Sequence, residues 1–335
     1  MSYKSICLSK KVEGMRIYTL SNSCLSLLFY LVFFASSSYF SACEAAVYPY
    51  APSKKIIGNM QYIVAGKDPV ALSTIARQYQ IGYDALVLAN PHITNNKQPA
   101  QGTIIYLPHA VIVPKIQPNE VVVNIAEKRL FYLHGDSMQL YVWPVGIGRT
   151  QSQTPLGSMH VIAMRKNPTW YVPKDALREA HAIGFFDHPV RVDPGPENPL
   201  GKYAISLSKR SYLIHSTHDP TMVGTRNTSG CMNMYPEDSQ QLYRMLKVSD
   251  KVHIVNMPVK SIMEDGVLHI ETHPNLDDYI EDIATKELDA IRARYFEQIA
   301  EEALAENFKG NNHSSVDNLL TLIENPFGVP THFQL

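Results

Sequence analysis

The 335-residue chain is short of cysteine, with four, and of net charge, formally −1 at pH 7. Without a basic excess there is no field to draw a phosphate backbone, so nucleic acid is excluded as a partner. Histidines are numerous, thirteen in all, but none stands in an HExxH pattern and no CxxC pair accompanies them. The spacing therefore yields no metal site and no cofactor. Long apolar runs are missing too. Residues 25–35 form an apolar stretch that three serines end, short of the roughly 20 residues that span a bilayer.

That short run has another use. Lys4, Lys10, Lys11 and Arg16 precede it, and small residues crowd 36–46. A basic segment, an apolar segment and a small-residue exit make a secretory signal, expected over 1–46 with cleavage after Ala45 or Ala46. Met15 is an alternative start. A lipoprotein signal ending on Cys43 is the alternative exit. Cys7 and Cys24 then leave with the signal, and Cys43 is removed or lipidated, so the exported chain keeps one thiol, Cys231. Oxidising compartments favour paired cysteines, so a lone one is either a small buried hydrophobe or a reactive group. Composition leaves these two readings even.

After a linker over 47–60, residues 61–109 carry a compact pattern. Tyr62, Ile63 and Val64 read as a strand. Leu72, Ile75, Ala76 and Tyr79 keep helical spacing, Ala85, Leu86 and Ala89 repeat it, and 104–107 form a second strand. Residues 119–256 alternate in short strands divided by Pro and Gly, with one expected helix over 236–247 that Asp238 caps. A hairpin is expected over 257–274 and a helical tail over 275–335. In that tail Ile280, Ile283, Leu288, Ile291, Tyr295 and Ile299 make one stripe, and 309–335 read as flexible apart from a short helix over 316–323.

Chemistry concentrates in Ile214-His215-Ser216-Thr217-His218 and Thr228-Ser229-Gly230-Cys231-Met232-Asn233. A thiol attacks as thiolate, and a free pKa of roughly 8.5 leaves little of it at neutral pH. A neighbouring histidine corrects this by taking the proton or by standing as imidazolium beside the thiolate. His215 ends an expected strand, which fixes it better than His218. Gly230 allows a close backbone approach at the nucleophile, where N–H groups can stabilise an oxyanion. Residues just ahead of the helix at Pro236 would also feel its dipole.

These two stretches resemble the catalytic signature of the L,D-transpeptidases of the YkuD type. The resemblance implies Cys231 as nucleophile, His215 as base, and the Ser216 carbonyl as the group that orients the imidazole. Ser229 stands where most members have a second histidine, which puts the tuning of the thiol in doubt. It is counted with Gly230 and Asn233 as supporting. Val145 to Gly148, Thr154 to Gly157, Asn167 to Trp170 and Gly195 to Gly201 extend the match. Trp170 reads on its own as core. Residues 61–109 resemble a LysM module, which implies affinity for the peptidoglycan backbone, although Pro69 follows Asp68 where the family has a hydroxyl residue.

Together these imply a mostly β catalytic domain, a YkuD-like β-sandwich or barrel with one helix, behind a small α+β module in the periplasm. The implied substrate is peptidoglycan, with a stem peptide, an envelope protein such as a lipoprotein, or water as acyl acceptor, and with carbapenem acylation of Cys231. Two other readings compete. A non-catalytic peptidoglycan binder is favoured by Ser229. A papain-like peptidase places its Cys before its His, the reverse of the order here.

Overall fold

The computed structural model describes residues 46–333 apart from 183, 185, 188, 210, 265–266, 275 and 277–324. The signal segment with Cys7, Cys24 and Cys43, the tip of the 257–274 hairpin and the helical stripe of the tail lie outside the described residues.

One nine-stranded sheet organises the chain. In spatial order its strands are Ala46–Pro49, Gln139–Pro144, Arg129–His134, Glu120–Asn124, Lys251–Val255, Gly157–Lys166, Tyr203–Leu207, Leu213–His215 and Met232–Asn233. Neighbours are antiparallel except two pairs: Lys251–Val255 runs parallel to Glu120–Asn124, and Met232–Asn233 parallel to Leu213–His215. The second pair matters most, because it sets the strand ending in His215 beside the strand that follows Cys231.

Alternation along Glu120–Asn124 explains the layering. Val121 and Val123 enter a core with Trp143, Ile205, Ile214, Met232 and Leu242, while Val122 enters another with Phe131, Leu133, Val111 and Ile116. Side chains of a strand point alternately to the two faces, so a strand apolar at consecutive positions must be covered on both. One cover is α4 (Pro236–Met245), which packs on Tyr203–Leu207. On the opposite face lie the Ile56–Ile57 and Val111–Ile112 strands.

The linker expected over 47–60 is thus ordered structure: Ala46–Pro49 pairs with Gln139–Pro144 as an edge strand. Its apolar Val47, Tyr48 and Tyr50 pack against the two cores, which a Pro- and Lys-bearing composition concealed. Helix α3 (Lys174–Ala182) is a second helix of this half of the chain, where one was expected. Helix α4 stops at Met245, and its N-cap is Tyr235 rather than Asp238, whose side chain is buried. At the far end, Thr331–Phe333 pairs with Val267–Thr272, so part of the segment read as flexible is strand.

Residues 60–108 fold as strand, helix, helix, strand, with Met60–Val64 paired to Ile104–Pro108 around α1 (Leu72–Gln78) and α2 (Tyr83–Leu88). Ile63, Leu72, Ile75, Leu86, Ile105 and Leu107 fill its own core. This module is also bonded to the rest of the chain: Tyr235 Oη donates to Ile81 O at 3.0 Å, and Lys128 pairs with Asp84 at 3.2 Å.

The Val259–Glu264 and Val267–Thr272 hairpin is fastened by buried charges. Lys260 Nζ lies 2.9 Å from Glu127 and 3.1 Å from Glu271, and Arg129 lies 3.2 Å from each. Glu127, Glu271 and His273 bring ligand atoms within 4.8 Å of one another. The ammonium and guanidinium already take up both carboxylates, so the set is an ion-pair network rather than a vacant metal cage.

Candidate active site

His215 is positioned first by its strand. Ala204 and Asn233 flank it in register, and Met234 N donates to its carbonyl at 2.9 Å. Its ring Nδ1 lies 2.5 Å from Ser216 O. A carbonyl only accepts, so Nδ1 carries the proton and Nε2 is left as the basic nitrogen. Burial holds the imidazole down at about 4, the Ser216 bond only partly opposing it. His215 is therefore a neutral base at neutral pH. His218, the other candidate, is exposed at the rim.

Cys231 follows a loop with demanding backbone geometry. Gly230 has φ +102°, and a Cβ there would stand 2.8 Å from the Tyr212 ring and 3.0 Å from Gln153 O. Thr228 closes the loop: its Oγ1 donates to Cys231 O at 2.5 Å and accepts from Gly230 N at 3.2 Å. That commits the Gly230 N–H to Thr228. Thr228 is the positioning residue missed by counting reactive side chains; its signal was a hydroxyl three residues before the thiol. Replacing Gly230 by alanine should cost on the order of 100-fold in turnover, the penalty of a nucleophile misplaced by about an ångström. Steady-state rates beside a melting curve check this; a variant as active as the parent would remove the constraint from the mechanism.

Behind the thiol, Asn233 and Gly146 lock two strands together. Gly146 N donates to Asn233 O at 2.9 Å and to its Oδ1 at 3.1 Å. A Cβ on Gly146 would meet that Oδ1 at 2.1 Å, so the glycine makes the contact. Gly148 N likewise donates to Thr154 Oγ1 at 2.8 Å, shaping the turn whose Gln153 carbonyl faces Gly230.

Cys231, His215, Thr228, Ser229 and Asn233 line one cavity of about 800 Å3, with Trp170, Tyr212, His218, Asp219 and Met222 on its walls. Trp170 is thus a half-buried wall residue rather than core. Ser229 is exposed to this space, and Ser216 contributes its carbonyl while its side chain packs on Gly201. The cavity takes no residue from α4. The first turn of that helix carries Glu237, bonded to Arg77 at 2.9 Å.

Although the Cys231 residue opens on the cavity, protein surrounds its sulfur closely enough that desolvation pushes the thiol up to about 11. Its Sγ donates to Ser211 O at 3.6 Å. Thiol and imidazole in this cavity are thus both held neutral at neutral pH, an arrangement that suits proton transfer during attack rather than a standing ion pair. The pH profile tests this. Activity should hold flat from about pH 5 to 9 and fall on an acid limb near the His215 value of about 4. An acid limb near 6.5 would mean a solvated, unperturbed base.

The family model described as "L,D-transpeptidase catalytic domain" matches residues 118–254. The chain is 30% identical over 261 residues to "Probable L,D-transpeptidase YcfS" of Escherichia coli strain K12, covering 76% of this chain and 81% of that protein. It is 31% identical to "Probable L,D-transpeptidase YbiS" of the same strain, over 72% of this chain and 79% of the relative. It is 32% identical to that strain's "Probable L,D-transpeptidase ErfK/SrfK", over 69% and 75% respectively. A mostly β domain, a strand-end histidine and a thiol in one cavity, and relatives matched over most of their length together place this chain in the YkuD-type L,D-transpeptidase family.

Proposed function

We propose that this protein acts on peptidoglycan tetrapeptide stems through a Cys231 thioester, with His215 as general base and acid. The observation that carries the reading is the shared cavity of a neutral thiol and a buried imidazole oriented by the Ser216 carbonyl. Cys231 Sγ attacks the carbonyl of the L-centred third residue while its proton passes to His215 Nε2. Collapse of the tetrahedral adduct breaks the bond to the terminal D-alanine, whose amine takes that proton. An amine acceptor then attacks the thioester, gives its proton to His215, and expels the thiolate, which is reprotonated. A diaminopimelate amine makes a 3→3 cross-link, and an envelope protein amine makes an anchored protein.

The same chemistry with water as acceptor gives an L,D-carboxypeptidase. Ser229, exposed in the cavity where most relatives carry histidine, leaves acceptor choice to the walls around it. The signal-like N-terminus supports a periplasmic site of action, and the strand–helix–helix–strand module supports a LysM-like role toward the glycan. Acylation by carbapenems is expected at the same sulfur.

Incubating the purified chain with disaccharide-tetrapeptide and weighing the products tests the reading. A dimer that has lost one D-alanine is expected. A tripeptide alone would assign the carboxypeptidase, and unchanged substrate with bound glycan would favour the non-catalytic binder.

A further inference from the structure

The loop at residues 219–224 belongs to two structures at once. On one side Asp219 and Met222 wall the cavity that holds Cys231. On the other, its last residues lie against the corner between α1 and α2. Tyr83 N donates to Val223 O at 3.2 Å and Asp84 N to Gly224 O at 3.3 Å. Gly224 has φ +82°, and a Cβ there would stand 2.2 Å from Gly82 Cα, so two glycines let the backbones touch. Elsewhere the loop is held by Asp219, which caps the turn Pro220–Met222 by accepting from Thr221 N, and by Met222 O, which accepts from Asn227 Nδ2 at 2.8 Å and from Thr225 Oγ1 at 2.9 Å and lies against Gly146.

The same corner grips the start of α4. Arg77 forms a two-pronged pair with Glu237 and its guanidinium lies 4.6 Å from the Tyr235 ring centre. Gln80 donates to Glu237 at 3.3 Å and to Asp238 at 3.4 Å. Pro236 and Glu237 in turn wall a second cavity of about 610 Å3, which shares Thr217 and His218 with the first. One short segment, residues 77–84, therefore contacts a wall residue of the second cavity, Glu237, and the two residues that follow the wall residue Met222 of the first.

We propose that the α1–α2 corner of the module is a positioning element of the catalytic cleft, setting through the Gly82–Gly224 contact where Met222 and its loop stand against the substrate. The inference rests on the reading of that cleft as the stem-peptide site. It makes the module part of the enzyme's substrate selection and not solely a tether for glycan. Arg77, Gly82 and Tyr83 are positioning residues: they touch the walls and not the reacting atoms.

Gly82 gives a clean test. Its backbone, φ −65° and ψ 137°, suits any residue, and an added Cβ meets Gly224 Cα at 3.1 Å and Pro144 Cβ at 3.4 Å. Alanine should therefore nudge the loop and valine displace it. With methyl-13C methionine labelling of the full-length chain, the Met222 methyl signal, assigned by Met222→Leu, should move in Gly82→Ala and further in Gly82→Val. The Met159 signal, from the core, should stay. On disaccharide-tetrapeptide, KM should rise about tenfold in Gly82→Val with kcat within about twofold, the mark of lost binding rather than lost chemistry.

An unmoved Met222 signal with unchanged KM would overturn the proposal. So would a Met159 signal moving with it while kcat falls at constant KM, since that reports general unfolding. Should Gly82→Val not fold, Gly82→Ala is judged by the same two readouts. If the parent enzyme itself turns over no stem peptide, the functional reading fails, and the methionine spectra still decide whether the corner places the loop.

Discussion

Cys231→Ala releases no D-alanine from disaccharide-tetrapeptide above the uncatalysed rate; this is the largest effect expected of any substitution in the chain. The alanine removes the sulfur on which the proposed thioester forms, and alanine has no nucleophilic atom to replace it. His215→Ala should follow closely, with a loss of about 10²- to 10⁴-fold, because on the proposed mechanism it takes the thiol proton and returns it to the leaving amine. His218→Ala should cost no more than about two- to threefold, the range of an exposed side chain outside such networks. Release of D-alanine, followed by mass at matched protein concentration, ranks the three. A severe His218 defect with a mild His215 defect would transfer the base to the rim. Residual full turnover in Cys231→Ala would remove covalent catalysis altogether.

The second large effect is on stability. Lys260 is almost wholly enclosed, with Nζ bonded to Glu127, Glu271 and Ile112 O, the last at 2.6 Å. Lys260→Met keeps the bulk but leaves two buried carboxylates with Arg129 and the lowered His273 beside them, one strong cation for two anions. Breaking one partner of a buried network typically costs about 3–5 kcal/mol, because an uncompensated charge remains. In a domain of this size that lowers Tm by about 10 °C.

The pH dependence gives this prediction a sign. Burial raises the Glu271 carboxyl, but Lys260, with His273 and Arg129, outweighs it and holds the group down at about 2. A folded pKa below the unfolded one stabilises above the unfolded value, near 4.5, and that contribution is lost as pH falls toward 2. Burial also lowers His273, so its neutral form adds a loss that begins as pH drops through about 6.5. The Lys260→Met deficit should thus be full at pH 7 and narrow below about pH 4.5. Melting curves at pH 7, 5 and 3.5 read it directly, and a deficit that widens in acid would mean the lysine acts through packing alone.

Sequence reasoning singled out two residues that the fold brings to one cavity. His215 at a strand end and Cys231 behind a glycine are local facts, written in adjacent residues, and both sit on the cavity wall. The strand–helix–helix–strand pattern of 60–108 was legible for the same reason, since its core is made within fifty residues. What stayed hidden was long-range. Val47 and Tyr48 become strand only because Gln139–Pro144 offers an edge some ninety residues away. Asp238 looked like a cap because it is acidic near a helix start; burial beside Glu237 instead pushes its carboxyl well above the usual range. The thiol's environment was equally unreadable: desolvation depends on what closes around the sulfur, and that comes from residues 152–153, 211–213 and 228–230 together.

The parallel pairing of Lys251–Val255 with Glu120–Asn124 has a kinetic side. Lys251 and Glu120 are 131 positions apart in sequence and opposite each other in the sheet. Such a contact closes a long loop before it returns any energy, so it raises contact order and slows folding. Closing the central strand pair is therefore an expected slow step of folding, which refolding rates would show. Cys231 is the one free cysteine among the described residues. On the expectation that the signal takes Cys7, Cys24 and Cys43 with it, Cys231 would wait through that step with no second thiol in its own chain to form a wrong bridge.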